Sequence, residues 1–380
     1  MKQVYVNGGY TTKFGELWKR DFRDLGVEAA VNAVQNSKIN LQDIDVLYVA
    51  NMAASHYTGQ DHLGALFATE LGLDCPAFHI EAACASGSAA IRAGFLDLLS
   101  GSSENALILG VEKMTDVNTK NATEGLSGAS DEEWEAFYGV TFPSLYAMIA
   151  REHMNRYGTS HEQLAMCSVK NHKHGTLNPD AHFQKEITVE QVLRSPVVAD
   201  PLKLFDSSPI SDGAAAIVMS SKKKSEIRLI ASGHAQDSLA LHDRKDITIL
   251  EATIKAKERA FKQSKLKNKD IDIMEVHDCF SIAEILAYED LGFVEKGKGG
   301  QFVESGDTQM DGSIPTNLSG GLKAAGHPVG ATGVKQAVEI VKQLTGKAGK
   351  RQVQKDMKYG LTHNIGGSGA TCIVNIFEKI

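Results

Sequence analysis

The chain has 380 residues, with 35 glycines but only 8 prolines, and 47 acidic against 40 basic side chains for a formal charge of −7. That length exceeds the usual single domain and supplies a large core, and glycine without proline suits tight turns in an ordered fold better than a disordered chain. The acidic balance argues against a general nucleic-acid surface; the absence of a signal segment, or of any run of 18 apolar residues, argues against export or a membrane span; and five cysteines without a C-x-x-C pair suit a reducing cytosol.

In chain order, a strand near Val4 precedes a helix over roughly 22–35, and Asn40 to Val49 then reads as a polar turn running into an apolar strand. Cys84 lies in E-A-A-C-A-S-G, and the following S-G-S-A-A-I-R-A-G-F-L-D-L-L predicts a helix with Ser86 as a candidate cap. The stretch 118–133 breaks the strand and helix rhythm, a helix is expected over Phe142–Tyr157, and a polar N-H-K-H-G segment follows at 171–175. Residues 267–276, K-N-K-D-I-D-I-M-E-V, nearly copy 40–49 after a helix over roughly 248–264, and 368–375 echo 212–219 at a shorter spacing. The simplest architecture is two similar α/β halves, 1–220 and 225–380, with extra chain at about 118–200 inserted in the first.

Three clusters carry chemistry. Cys84 at the start of a helix would gain from the unpaired N–H groups and positive dipole end there, which favour a thiolate; the competing reading is a buried apolar cysteine. Asn317-Leu318-Ser319-Gly320-Gly321 leads through Gly326-His327-Pro328 into Gly330-Ala331-Thr332-Gly333 and a helix near 334–344, which presents one imidazole rigidly. That imidazole is either a turn histidine or a base able to take a thiol proton. The strand ending at Val276 delivers His277-Asp278-Cys279-Phe280; these are metal-ligand types, but three consecutive residues rarely converge on one ion, and strand ends are good platforms for catalytic groups.

These motifs, in this order over essentially the whole chain, resemble the thiolase superfamily, and within it the archaeal and sterol-carrier-protein-linked type. Asp131-Glu132-Glu133-Trp134-Glu135, residues 141–147 and N-H-K-H-G are similar to the archaeal-type proteins. The resemblance implies a thiolase fold: duplicated halves in a five-layered αβαβα core, with an inserted loop domain. It implies acyl transfer through Cys84, proton transfer by His327, support of the thioester oxygen by His277, and acid–base work at the alpha carbon by Cys279. The last role follows because Asn364, in His363-Asn364-Ile365-Gly366-Gly367, stands where many thiolases carry their second cysteine. Backbone N–H groups of Gly366 and Cys84 are expected to form an oxyanion hole. Asn317 and His363 are further candidates for oxyanion or substrate contact, His363 either directly or through a hydrogen bond.

The implied reaction condenses two acetyl-CoA to acetoacetyl-CoA and CoA, reversibly, for the mevalonate pathway, in the cytoplasm and without metal or other cofactor, coenzyme A being a substrate. The implied partners are acyl-CoA and CoA, a second copy in a homodimer or dimer of dimers, and a complex with 3-hydroxy-3-methylglutaryl-CoA synthase bridged by a small zinc-containing OB-fold-like protein. Two alternatives stay open: a thiolase for longer 3-oxoacyl chains, and a non-enzymatic acyl-CoA or lipid binder on the same scaffold.

Overall fold

The computed structural model describes residues 2–380. The first half contributes strands β1 (Val4–Thr11), β2 (Val46–Ala50), β3 (Ala77–Ile80) and β4 (Asn105–Glu112), a small hairpin of β5 (Val197–Ala199) and β6 (Leu202–Lys203), and β7 (Gly213–Ser220). The second half contributes β8 (Ile227–Gln236), β9 (Ile273–Glu275), β10 (Tyr359–Gly366) and β11 (Thr371–Lys379). Their order is β3-β2-β4-β7-β1-β8-β11-β10-β9, continuous only because Val4–Val6 pair with Ile227–Leu229. Each side of that joint has the same plan, antiparallel strands toward the joint and parallel strands toward the edge.

Among the described residues, twelve α-helices surround this sheet. They are α1 (Phe22–Ser37), α2 (Ala54–Thr58), α3 (Leu63–Leu71), α4 (Ser86–Ser100), α5 (Thr119–Ser127), α6 (Phe142–Tyr157), α7 (His161–Gly175), α8 (Val189–Arg194), α9 (Glu251–Ser264), α10 (Ser281–Asp290), α11 (Gly299–Glu304) and α12 (Val329–Leu344). Helices α1 and α3 cover the outer face of the first half-sheet and α9 that of the second, while α4 and α12 pack between the halves, touching strands of both. A helix with sheets on both sides must be apolar nearly all round, and in α12 every residue but Val341 and Lys342 is buried. By contrast α1 buries one stripe, Phe22, Leu25, Ala29, Ala30 and Ala33, at the spacing of a one-faced helix.

The halves repeat in detail. Helix α1 ends on Lys38 with φ 55 and α9 on Lys265 with φ 63, and each is followed by a 3-10 turn, 41–43 and 268–270, that leads into a buried strand. The connection β4 to β7 occupies 113–212, whereas 367–370 suffice between β10 and β11. The longer connection is more regular than the sequence suggests. Asn118 Oδ1 accepts the Asn121 N–H at 2.9 Å and starts α5 inside the stretch read as a break. Segment N-H-K-H-G forms the last turn of α7, a helix opened by a Ser160–Gln163 capping box.

Candidate active site

Helices α4 and α12 begin side by side, so their positive ends converge on one place. Glycines permit it: a Cβ on Gly333 would lie 2.3 Å from both the Ser88 nitrogen and Asn364 Oδ1. Glu112, at the end of β4, fastens the junction by accepting the N–H groups of Met52, Ala53 and Gly330 and the Asn51 amide at 2.9 to 3.1 Å. Burial raises its carboxyl to about 7.

Cys84 lies between β3 and α4 in a tight turn. Ala83 has φ 51, a left-handed conformation that costs an L-residue about 1–2 kcal/mol. Ser86 does not cap α4, as its position suggests, because its hydroxyl is consumed in this turn, accepting the Ala82 N–H at 2.9 Å and donating to the Ala83 carbonyl at 2.6 Å. Burial pushes the Cys84 thiol up to about 12, against the pull of the backbone N–H groups of Gly367 and of Cys84 itself. The N–H at the sulfur thus belongs to Gly367. Its neighbour Gly366, the expected oxyanion donor together with Cys84, must also lack a side chain, since a Cβ there would lie 2.5 Å from the Ala82 carbonyl. Ala53, Tyr57, Met114 and Val329 form the apolar wall around Cys84.

His327 precedes α12, which begins at Val329 rather than near 334. The Thr332 hydroxyl gives its own hydrogen to the Pro328 carbonyl at 3.0 Å, so toward His327 Nδ1, 2.7 Å away, it can only accept. The proton therefore sits on Nδ1 and Nε2 carries the lone pair, and that Nε2 has no partner among the described residues. Burial, reinforced by the charge of Lys335, lowers the imidazole to about 3.

His277 follows β9 and is fully buried. Asn317, in the left-handed region with φ 58, accepts the Val276 N–H on Oδ1 at 2.8 Å, so it braces the chain leading to His277 instead of facing Cys84. His363 is also a brace. Its Nδ1 accepts the His277 backbone N–H at 3.4 Å and its Nε2 lies 3.0 Å from Thr253 Oγ1. Side chains alternate along a strand, and it is the next residue, Asn364, that bonds to the site, its Nδ2 lying 2.9 Å from the Cys84 carbonyl and 3.0 Å from His277 Nδ1.

The Cys84 sulfur and a ring nitrogen from each of His277 and His327 lie within 4.8 Å of one another. The two rings are edge-to-face, centroids 5.2 Å apart, and each keeps an Nε2 without a partner among the described residues. Cys279 is close enough that a negative charge on Cys84 raises its pKa, after the larger effect of burial. The Tyr146 hydroxyl, which donates to the Gly367 carbonyl at 3.1 Å, is near enough to draw the Cys279 pKa down, while the Tyr146 ring stacks on Phe280 at 4.6 Å. Sequence reasoning missed Tyr146, whose only signal was a buried-face position on α6. Asp278 points away, bonding to the Leu322 N–H and the Asn171 amide, both at 2.7 Å. Cys372 is packed within β11.

A thiol beside an unprotonated imidazole, at the converging ends of two helices and with a second thiol nearby, defines a site for thioester exchange coupled to proton transfer. The chain belongs to the thiolase superfamily: residues 4–223 match the family model "Thiolase, N-terminal domain" and 233–379 match "Thiolase C-terminal domain-like". It is 52% identical, over all of both chains, to the acetyl-CoA acetyltransferase of Methanothermobacter thermautotrophicus. It is 33% identical to human sterol carrier protein 2 over 98% of this chain and 71% of that one. Among solved structures, the Ltp2-ChsH2(DUF35) aldolase superposes with a TM-score of 0.85 at 21% identity, covering 99% of this chain and 98% of that chain. The protein is an acyltransferase of the thiolase class, and no helix among its described residues is long and apolar enough to cross a membrane.

Proposed function

We propose that this thiolase condenses two molecules of acetyl-CoA to acetoacetyl-CoA and CoA, reversibly, through an acyl-Cys84 intermediate. The observation that carries the reading is the convergence of Cys84, His327 and His277 within 4.8 Å, with Cys279 beside them. His327 Nε2 takes the Cys84 proton as sulfur attacks the thioester carbonyl; the resulting oxyanion is held by the N–H groups of Gly366 and Cys84, and its collapse expels CoA thiolate, which His327 reprotonates. Burial keeps Cys279 a thiol at rest, so it first passes its proton to His327 Nε2 and, as thiolate, removes a methyl proton from a second acetyl-CoA while His277 steadies the enolate oxygen. The carbanion attacks acyl-Cys84, the carbon–sulfur bond breaks, and His327 returns its proton to the Cys84 thiolate, which leaves both cysteines as thiols. Every proton is returned, so no cofactor is needed and CoA is consumed only as substrate.

The acetyl-CoA specificity and a mevalonate-supplying role in the cytoplasm rest on the named archaeal relative and the motif resemblance. So do a homodimer or dimer of dimers and a complex with 3-hydroxy-3-methylglutaryl-CoA synthase through a small zinc-containing OB-fold-like protein. The decisive assay is thiolysis of a 3-oxoacyl-CoA series of increasing length, with acetoacetyl-CoA expected to be cleaved fastest. Peak activity on long chains would replace the substrate assignment, and no turnover with any of them would replace the enzymatic one.

A further inference from the structure

Asn364 occupies the position where many thiolases carry their second cysteine, and its hydrogen bonds give it a job that a cysteine could not do. Its Nδ2 lies 2.9 Å from the Cys84 carbonyl oxygen. That oxygen can only accept, so the NH2 group must face it; the flipped amide would set two oxygens against each other. The same NH2 lies 3.0 Å from His277 Nδ1 and has a second hydrogen to give. His277 Nδ1 therefore presents a lone pair, and the proton of the neutral ring is on Nε2, the nitrogen with no partner among the described residues.

His327 is set the opposite way, with its proton on Nδ1 toward Thr332 and its lone pair on Nε2. Two buried imidazoles at 83° to each other thus offer unlike groups to the space beside Cys84, a donor from His277 and an acceptor from His327. We propose that Asn364 is a positioning residue that locks His277 in the Nε2–H form, making it a hydrogen-bond donor to the substrate thioester or enolate oxygen and leaving His327 as the only base for the Cys84 thiol. With the other tautomer His277 would turn a lone pair toward a developing oxyanion, losing a donor of the kind whose removal costs about 10² to 10³-fold in rate. The assignment also bears on metal binding, for which the spacing of Cys84, His277 and His327 is suitable: a protonated Nε2 offers no lone pair to an ion.

This inference rests on the thiolase reading, but its test does not need turnover. The experiment is long-range proton–nitrogen correlation on full-length protein labelled with ¹⁵N in histidine, the His277 signals being assigned by their loss in His277→Asn. The wild type is expected to show His277 with Nε2 protonated and Nδ1 bare, and His327 with the reverse. In Asn364→Asp the carboxylate can only accept, and the His277 pattern should invert, with kcat/KM falling roughly 10² to 10³-fold. Asn364→Ala, which removes both hydrogen bonds without adding charge, should give a mixture of the two His277 tautomers. A wild-type His277 protonated on Nδ1 overturns the proposal whatever the activity, as does an unaltered His277 pattern in both variants. An inactive wild type with the expected tautomers would defeat the thiolase reading alone.

Discussion

His327 Nδ1 and Thr332 Oγ1 lie 2.7 Å apart, joined by a hydrogen bond whose direction is fixed by the second bond from Thr332 to the Pro328 carbonyl. One hydroxyl in the first turn of α12 thus decides which nitrogen of the base faces the nucleophile. Thr332→Val keeps the shape and removes the acceptor, leaving a buried N–H unsatisfied at a cost of about 1–3 kcal/mol. The rate of acyl-Cys84 formation should fall roughly 10- to 100-fold, while Thr332→Ser stays near wild type. Rapid-quench measurement of acetylation checks this, and equal rates in all three proteins would remove Thr332 from the account.

The pH dependence of Cys84 reactivity follows from the two shifts. The thiol is raised to about 12 and the His327 imidazole lowered to about 3, so the resting pair is neutral and not a thiolate–imidazolium pair. Only the thiolate is alkylated. Labelling of Cys84 by iodoacetamide should therefore climb with each unit between about pH 6 and 10 instead of levelling at the ordinary thiol pKa of roughly 8.5. Peptide mapping by mass spectrometry gives the rate, and a plateau at neutral pH would show a preformed thiolate.

Tyr146 separates the half-reactions. Its hydroxyl donates to the Gly367 carbonyl at 3.1 Å and is near enough to Cys279 to favour the thiolate there. When Cys279 becomes a thiolate, the Tyr146 hydroxyl can turn its hydrogen from the Gly367 carbonyl to the sulfur; a hydrogen bond to a charged group contributes about 1.5–3 kcal/mol, so Tyr146→Phe should slow solvent exchange of the acetyl-CoA methyl protons roughly 10- to 100-fold and change acetylation of Cys84 little. An equal loss in both would mean that Tyr146 only supports the fold of α6.

Much of the site was legible because its chemistry is concentrated in short segments. A cysteine ahead of a helix, a histidine in a Gly-Pro turn and H-D-C-F at a strand end name the groups that the fold gathers around one space. What the sequence concealed was orientation. Whether His363 or Asn364 faces Cys84 depends on the register of β10, and a one-residue change of face exchanges a brace for a site contact. Tyr146 was hidden for another reason: it reaches the site from the inserted connection, across a long sequence separation from Cys279, and no local pattern marks such a contact. The repeat was readable where both halves kept a polar turn and an apolar strand, and unreadable at 118–133, where Asn118 caps a helix too polar to stand out.

Cys84→Ser should abolish the covalent adduct and nearly all turnover while leaving the melting behaviour close to wild type, because a hydroxyl fills the space of the thiol but neither attacks nor leaves comparably at this site. Intact-mass analysis after mixing with acetyl-CoA reads the adduct, and acetylation persisting in the variant would place the nucleophile elsewhere.

The central claim is a division of labour, Cys84 for acyl transfer and Cys279 for the alpha carbon, and Cys279→Ala tests it most directly. Acetyl-CoA in deuterated solvent is mixed with the variant, and the acetyl adduct on Cys84 and deuterium in the acetyl methyl group are measured in the same sample. The account predicts near-normal acetylation of Cys84 with methyl exchange and acetoacetyl-CoA formation reduced by about 10² to 10⁴-fold, the usual worth of a positioned acid or base. Methyl exchange at the wild-type rate in Cys279→Ala would contradict it, and would require the proton at the alpha carbon to be taken by another group in this site.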